Sequence, residues 1–111
     1  MLETTIVVSN YNYAQFLESS VSSCLHQTVP CTVIVVDDDS RDASWALIRK
    51  LVKRSKNLVG VRLNRNSGGN ARGKNVGIAL SNSKYIVCLD SDDMLLPDSV
   101  ACRLQALGSA R

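Results

Sequence analysis

Val33-Ile34-Val35-Val36-Asp37-Asp38-Asp39-Ser40 and Tyr85-Ile86-Val87-Cys88-Leu89-Asp90-Ser91-Asp92-Asp93 share one form: a short apolar run that ends in a burst of aspartates. Runs of four or five apolar residues rich in β-branched side chains read as buried strands. Six of the chain's ten acidic residues sit in these two bursts. Crowded carboxylates repel and raise one another's pKa unless a cation or hydrogen-bond donors hold them. Two such groups at strand ends point to a site for a metal, a nucleotide, or both.

Outward from these runs, strand and helix patterns alternate. Thr4 to Ser9 is a further buried strand, followed by the polar, aromatic loop Asn10-Tyr11-Asn12-Tyr13. Ala14 to His26 places Leu17, Val21, Cys24 and Leu25 at helical spacing, with Pro30 shortly beyond the helix end. Thr32 to Val36 is the second strand. Asp42 can cap a helix from Ala43 to about Ser55, with Trp45, Ile48, Leu51 and Val52 inward. Leu58 to Leu63 is a third strand. Ser67-Gly68-Gly69 is a turn into a helix from Ala71 to Ser81, and Lys84 to Leu89 is the fourth strand. A last helix starts near Pro97 and carries Val100, Leu104 and Leu107.

This alternation predicts βαβ units and an α/β fold with a mostly parallel sheet. Continuous apolar strands fit a sheet covered on both faces. Ligands of such sheets bind beyond the carboxyl ends of the strands. Ser9 to Tyr11, Asp37 to Ser40 and Asp90 to Asp93 all fall at those ends, so one edge of the sheet should gather them.

The chain has 111 residues, 45% hydrophobic and 21% charged, enough for one small globular domain. No apolar run reaches the roughly 18 residues of a membrane-spanning helix. The N-terminus lacks the basic region of a signal peptide. Cys24, Cys31, Cys88 and Cys102 show no C-x-x-C spacing, and Cys24 and Cys88 lie in apolar segments where buried thiols are common. A reduced, cytoplasmic protein without structural zinc is expected, with peripheral attachment to a membrane left open.

The net charge of +3 hides an asymmetry: ten cations and no acid lie between Asp42 and Asp90. A basic middle between acidic strand ends suits an anionic ligand with a metal sharing the charge. Nucleic acid would also suit a basic stretch. These cations are not interleaved with aromatics, however, and Arg49, Lys50, Lys53 and Arg54 form one solvated helix face, so no nucleic-acid partner is expected.

An acidic D-x-D at a strand end can aim two carboxylates at one hard cation such as magnesium or manganese. The bland alternative is an acidic turn that caps the next segment. In the first burst, Asp39 and Asp42 fit capping, whereas Asp37 and Asp38 fit a site, one of them accepting hydrogen bonds from a base or ribose. Tyr11 can stack on a base or anchor its loop to the core. Gly68 to Asn75 reads G-G-N-A-R-G-K-N, close to the phosphate loop G-x-x-x-x-G-K-[ST]. Asn75 replaces the metal-binding hydroxyl, and the loop does not follow its strand directly. A turn before a helix that carries Arg72 toward the ligand edge is the better reading. His26, near a helix end, reads as a cap or surface residue.

These residues resemble the N-terminal part of a family 2 glycosyltransferase of the GT-A fold. Ile6 to Asn12 is similar to the family's opening strand and "TYN" loop, and Gln27-Thr28 to its "QT" turn. Val35 to Ser40 is similar to "VVDDGS", with Asp39 in place of glycine. That glycine points to a positive φ, which aspartate tolerates better than most residues. Asn66 to Gly77 resembles "N-x-G…AR-N-x-G", with Gly73-Lys74 inserted before Asn75, and Leu89 to Asp93 followed by Pro97 resembles "LDSDD…P".

The resemblance implies a Rossmann-like sheet with flanking helices and a nucleotide-sugar donor, a UDP-sugar. Ser9 and Tyr11 would lie beside the base, Asp38 would hydrogen-bond it, and Arg72 would reach the nucleotide. Asp90 and Asp92 would hold ribose and metal, with Asp93 close to the ion, Mn2+ or Mg2+. The reaction implied is inverting transfer to an acceptor glycan or lipid-linked glycan. The family's acceptor site and catalytic base lie downstream of the D-x-D, and no residue before Arg111 stands out as the base. Residues 1–111 are therefore expected to be the nucleotide-sugar-binding part of one domain, unable to transfer sugar alone, with an uncovered sheet edge that favours self-association. Two alternatives remain: a non-catalytic nucleotide-binding module of the same fold, and a phosphate-loop nucleotidase.

Overall fold

The computed structural model describes residues 1–66 and 71–109. The phosphate-loop-like turn Ser67-Gly68-Gly69 lies outside the described residues. Eight elements alternate along the chain: β1 (Thr4–Asn10), α1 (Ala14–Leu25), β2 (Thr32–Asp37), α2 (Ser44–Arg54), β3 (Leu58–Arg62), α3 (Ala71–Leu80), β4 (Tyr85–Asp90) and α4 (Ser99–Ser109). The strands form one sheet in the order β3-β2-β1-β4, every neighbouring pair parallel. The alternation of β-branched runs with helical spacing thus yields the parallel α/β sheet that the sequence predicts.

β1 and β2 are the central strands and every residue in them is buried. Their side chains divide by parity, as a pleated strand requires. Ile6, Val8, Val33 and Val35 face one layer, where Leu17 and Val21 of α1, Ile48 of α2 and Val100 of α4 complete the core. Val7, Ile34 and Val36 face the other, beneath Val76 of α3. The two faces follow from connection handedness. The chain steps one way from β1 to β3 and then crosses back over β2 and β1 to reach β4. Right-handed crossovers in opposite directions put their helices on opposite faces. α3 lies close: a methyl group at Gly77 would overlap Val7, so only glycine allows this approach of helix to strand.

Coverage of both faces holds for β1 and β2 but not for β4. Ile86 and Cys88 are exposed, whereas Leu89 is buried. Their strand partners Thr5 and Val7 show that Ile86 and Cys88 belong to the α3 face, and α3 packs over β1 and β2 instead. β4 is therefore an edge strand with one apolar face open. Cys88 is not a buried thiol, in contrast to Cys24, whose pKa burial pushes up to about 12. Leu107 on α4 is also exposed, in a groove it lines with Leu104 and residues of β4.

The segment after β4 is tied back to α1. Gln27 Nε2 donates to Leu96 O at 2.8 Å, and its Oε1 accepts from Val100 N at 3.0 Å. Ser23 Oγ accepts from Leu95 N at 3.1 Å. His26 stays at the surface, its Nδ1 lying 2.8 Å from Ser22 O at the end of α1, as a cap.

Asp42 serves two helices. Its Oδ1 accepts from Ser44 N at the start of α2, and its Oδ2 accepts from Ala14 N at the start of α1. Burial pushes this carboxyl up, but the bonds from Ser44 and Ala14 outweigh it and hold the pKa below its ordinary 3.8. The sign follows: a depressed folded value gives stability that is complete above pH 3.8 and is lost as pH falls through that lower value. Asp42→Ala should cost about 1 kcal/mol at neutral pH, as cap removal does. Urea unfolding of the two proteins should converge well below pH 3.8. A difference that persists there would show that the carboxylate charge is not the cause.

Candidate donor-nucleotide site

Strand register brings the acidic loops together. Asn10 of β1 pairs with Asp37 of β2, and Ser9 pairs with Asp90 of β4. All three strands therefore end level. The strand order reverses at β1, since β2 and β4 flank it although β2 follows it in sequence and β4 comes last. Such a switch point leaves a crevice beyond the strand ends. A cavity of about 730 Å³ opens there, lined by Ser9, Asn10, Tyr11, Asp38, Asp90 and Asp92 among others. That volume is in the range of small-ligand sites.

On the β2 side, Asp38 is buried at the cavity wall, and Asn66 Nδ2 donates to its backbone carbonyl at 3.1 Å. Tyr11 is half exposed at the mouth. Ser9 lines the cavity, and its buried Oγ has no hydrogen-bond partner among the described residues. An orphaned hydroxyl facing a cavity is a group that a bound ligand can satisfy.

On the β4 side, Asp93 N donates to Asp90 O at 2.9 Å, closing a tight turn. The turn brings one carboxylate oxygen from each of Asp90, Asp92 and Asp93 within 4.8 Å of one another. Lys74 Nζ lies 3.7 Å from Asp90 Oδ1. Among the described residues one ammonium lies against three carboxylates, and such a cluster of oxygen ligands suits a hard divalent cation. Asp92 and Asp93 are exposed, and among the described residues neither has an ion-pair partner that such an ion would displace.

Several side chains lie elsewhere than the sequence suggests. Asp37 is fully buried and works inside the protein: its carboxylate accepts from Asn10 Nδ2 at 2.9 Å, Ser40 Oγ at 2.5 Å and Ser40 N at 3.1 Å. It is not among the residues lining the cavity. Asp39 has φ 59° and lies 3.8 Å from Arg62, which bears out a left-handed position where aspartate replaces glycine. Arg72 is exposed; its Nη1 donates to Arg65 O at 3.1 Å, and it does not line the cavity. Among the described residues Lys74 is the cation against Asp90, although it too is not among those lining the cavity, and linear reading does not single it out. Its signal was Lys74-Asn75-x-Gly77: anchored on Asn75, the preceding basic residue is Lys74. Asn10 and Ser91 were also passed over as functional groups, since nothing in a linear reading shows that they meet.

A parallel four-stranded sheet with helices on both faces and acidic loops at its switch point is the fold of GT-A glycosyltransferases. Residues 5–108 match the family described as "Glycosyl transferase family 2". The chain is 34% identical over 109 residues to the succinoglycan biosynthesis protein ExoO of Rhizobium meliloti (strain 1021), covering 97% of this chain and 30% of that protein. It is 33% identical over 99 residues to the poly(ribitol-phosphate) beta-N-acetylglucosaminyltransferase TarP of Staphylococcus aureus (strain N315), covering 86% and 30%. The crystal structure of S. aureus TarS 1-349 in complex with UDP superposes with a TM-score of 0.87 at 24% identity, over 97% of this chain and 32% of that one. The mannosyltransferase PcManGT from Pyrobaculum calidifontis, in complex with GDP-Man and Mn2+, gives 0.87 at 23% identity, over 95% and 32%.

The chain belongs to glycosyl transferase family 2. It spans about a third of the length of the relatives it matches.

Proposed function

We propose that this chain is the donor-binding part of an inverting, metal-dependent glycosyltransferase, and that it binds a nucleoside diphosphate sugar, a UDP-sugar, at the cavity beyond β1 and β4. The observation that carries this is the triple carboxylate Asp90, Asp92 and Asp93 at one end of a cavity whose other wall holds Asp38. In this reading Tyr11 stacks on the base, and Asp38 accepts a hydrogen bond from it. Ser9 satisfies its orphaned hydroxyl on the nucleoside. Asp90 holds the ribose, and Asp92 and Asp93 hold Mn2+ or Mg2+. Lys74 takes the place expected of Arg72 beside the diphosphate. A bound divalent ion supplies Lewis-acid stabilisation of the departing nucleoside diphosphate. The protein's own groups bind and orient the donor, and transfer to the acceptor hydroxyl, of a glycan or lipid-linked glycan, needs a general base that none of these residues supplies.

The comparisons lend support: TarS has been solved with UDP and with UDP-GlcNAc, and PcManGT with GDP-Man and Mn2+. Among the described residues no helix is long and apolar enough to cross a membrane. We assign a cytoplasmic setting, where the four free thiols stay reduced.

Calorimetry distinguishes this reading from a nucleotidase. UDP with Mn2+ should bind at least about tenfold more tightly than ATP with Mg2+, a difference of about 1.4 kcal/mol. Tighter binding of ATP would overturn it. The open edge of β4, with Ile86 and Cys88 outward, supports self-association. Sedimentation should then show concentration-dependent dimers or larger species, and a monodisperse monomer would count against this.

A further inference from the structure

Asn10 is nearly fully buried, and its side chain joins the two acidic loops. Nδ2 donates to Asp37 Oδ1 at 2.9 Å and to Ser40 Oγ at 3.3 Å, while Oδ1 accepts from Ser91 Oγ at 2.7 Å. The amide orientation is forced, because a carboxylate at that distance needs a donor opposite it. Ser91 is fully buried between the exposed Asp92 and the half-buried Asp90. One side chain on β1 thus spans residues 27 and 81 positions away and links the loop bearing Asp38 to the loop bearing the triple carboxylate. Backbone bonds run the same way: Asp38 N donates to Asn10 O, and Ser91 N donates to Ser9 O.

We propose that Asn10 and Ser91 form a latch that sets the cation-facing loop against the base-facing loop, making nucleoside and metal recognition a single rigid site. Both are positioning residues, acting through Asp38 on one side and through Asp90, Asp92 and Asp93 on the other. The function assigned to the latch rests on the donor-site reading above. A buried, fully satisfied polar network holds one arrangement of the groups attached to it. Without the Ser91 hydroxyl, Asn10 Oδ1 loses that donor, and the buried side-chain link from β1 to the loop bearing the triple carboxylate is broken.

The test uses the full chain, with Ser91→Ala to break the latch and Ser91→Thr to restore the hydroxyl. Calorimetry with uridine, and with UDP in the presence and absence of Mn2+, separates base recognition from the metal-dependent gain. Ser91→Ala should leave uridine affinity within about twofold and cut the Mn2+-dependent gain for UDP about tenfold, as loss of a group that orients metal ligands does. Ser91→Thr should recover most of that gain. An unchanged gain in Ser91→Ala overturns the proposal, as does an equal loss of uridine affinity, which would mark a merely structural role. Amide hydrogen exchange reads the latch without any ligand. Ser91→Ala should speed exchange at Asp38 to Ser40 as well as at Ser91 to Asp93, and acceleration confined to the second loop overturns it. If the wild type shows no Mn2+-dependent gain, the donor-site reading fails while the exchange measurement still decides the latch.

Discussion

Asp92→Ala should lower the Mn2+-dependent affinity for UDP by at least about tenfold, or about 1.4 kcal/mol, without changing stability appreciably. Asp92 is exposed, and among the described residues it has no ion-pair partner, so its removal leaves no buried group unsatisfied. Its carboxylate belongs to the group whose oxygens gather within 4.8 Å. Removing one of three anions there deprives a hard cation of a ligand and of the charge that attracts it. Asp98→Ala serves as the control, since Asp98 is an exposed acid outside the group. Calorimetry of both variants with UDP, with and without Mn2+, is the measurement. Equal affinities for wild type and Asp92→Ala would remove Asp92 from the metal site.

Asp37→Ala should do the opposite, damaging the fold before the site. The Asp37 carboxylate is fully buried and is the acceptor for Asn10 Nδ2, Ser40 N and Ser40 Oγ, both partners being buried residues. Truncation leaves at least two buried donors unsatisfied, at about 1–3 kcal/mol each, and a loss of about 3 kcal/mol is expected. With a urea slope of about 1–3 kcal/mol/M, the midpoint should fall by about 1–3 M at unchanged slope. Asp39→Gly, two positions on, should change stability by less than about 1 kcal/mol. It trades a partly exposed ion pair to Arg62 for a residue at ease with φ 59°. A midpoint for Asp37→Ala equal to wild type would contradict the buried network as the support of this loop.

These two aspartates show where linear reading reaches its limit. Both lie at strand ends in acidic bursts, and both look suited to a ligand. Parity along the strand, and what stands opposite, separates them: Asp37 continues the buried pairing with Asn10, whereas Asp92 lies past the end of β4 in an open turn. Arg72 and Lys74 give the same lesson. They are two residues apart on α3, so they point in different directions: Lys74 lies against Asp90, whereas Arg72 donates to Arg65 O. Tyr85 to Leu89 is as apolar as Val33 to Val36, yet β4 is an edge and leaves Ile86 and Cys88 uncovered.

The positive φ at Asp39 was implied by the resemblance to "VVDDGS", whereas the residues alone carried the order of strands and helices, the parallel sheet, and the gathering of Ser9, Tyr11, Asp38 and Asp90 at one edge. What the residues alone carried depends on local pattern: β-branched runs, helical spacing, turn residues and the rule that parallel strands end on the same side. Tertiary contacts settled which carboxylate is buried, that Lys74 rather than Arg72 lies against Asp90, and which strand is left open. Each depends on partners brought across the sheet, Asp37 with Asn10, Asn10 with Ser91, and Lys74 with Asp90. A carboxylate's role is set by the donors around it, and here those donors come from distant segments of the chain.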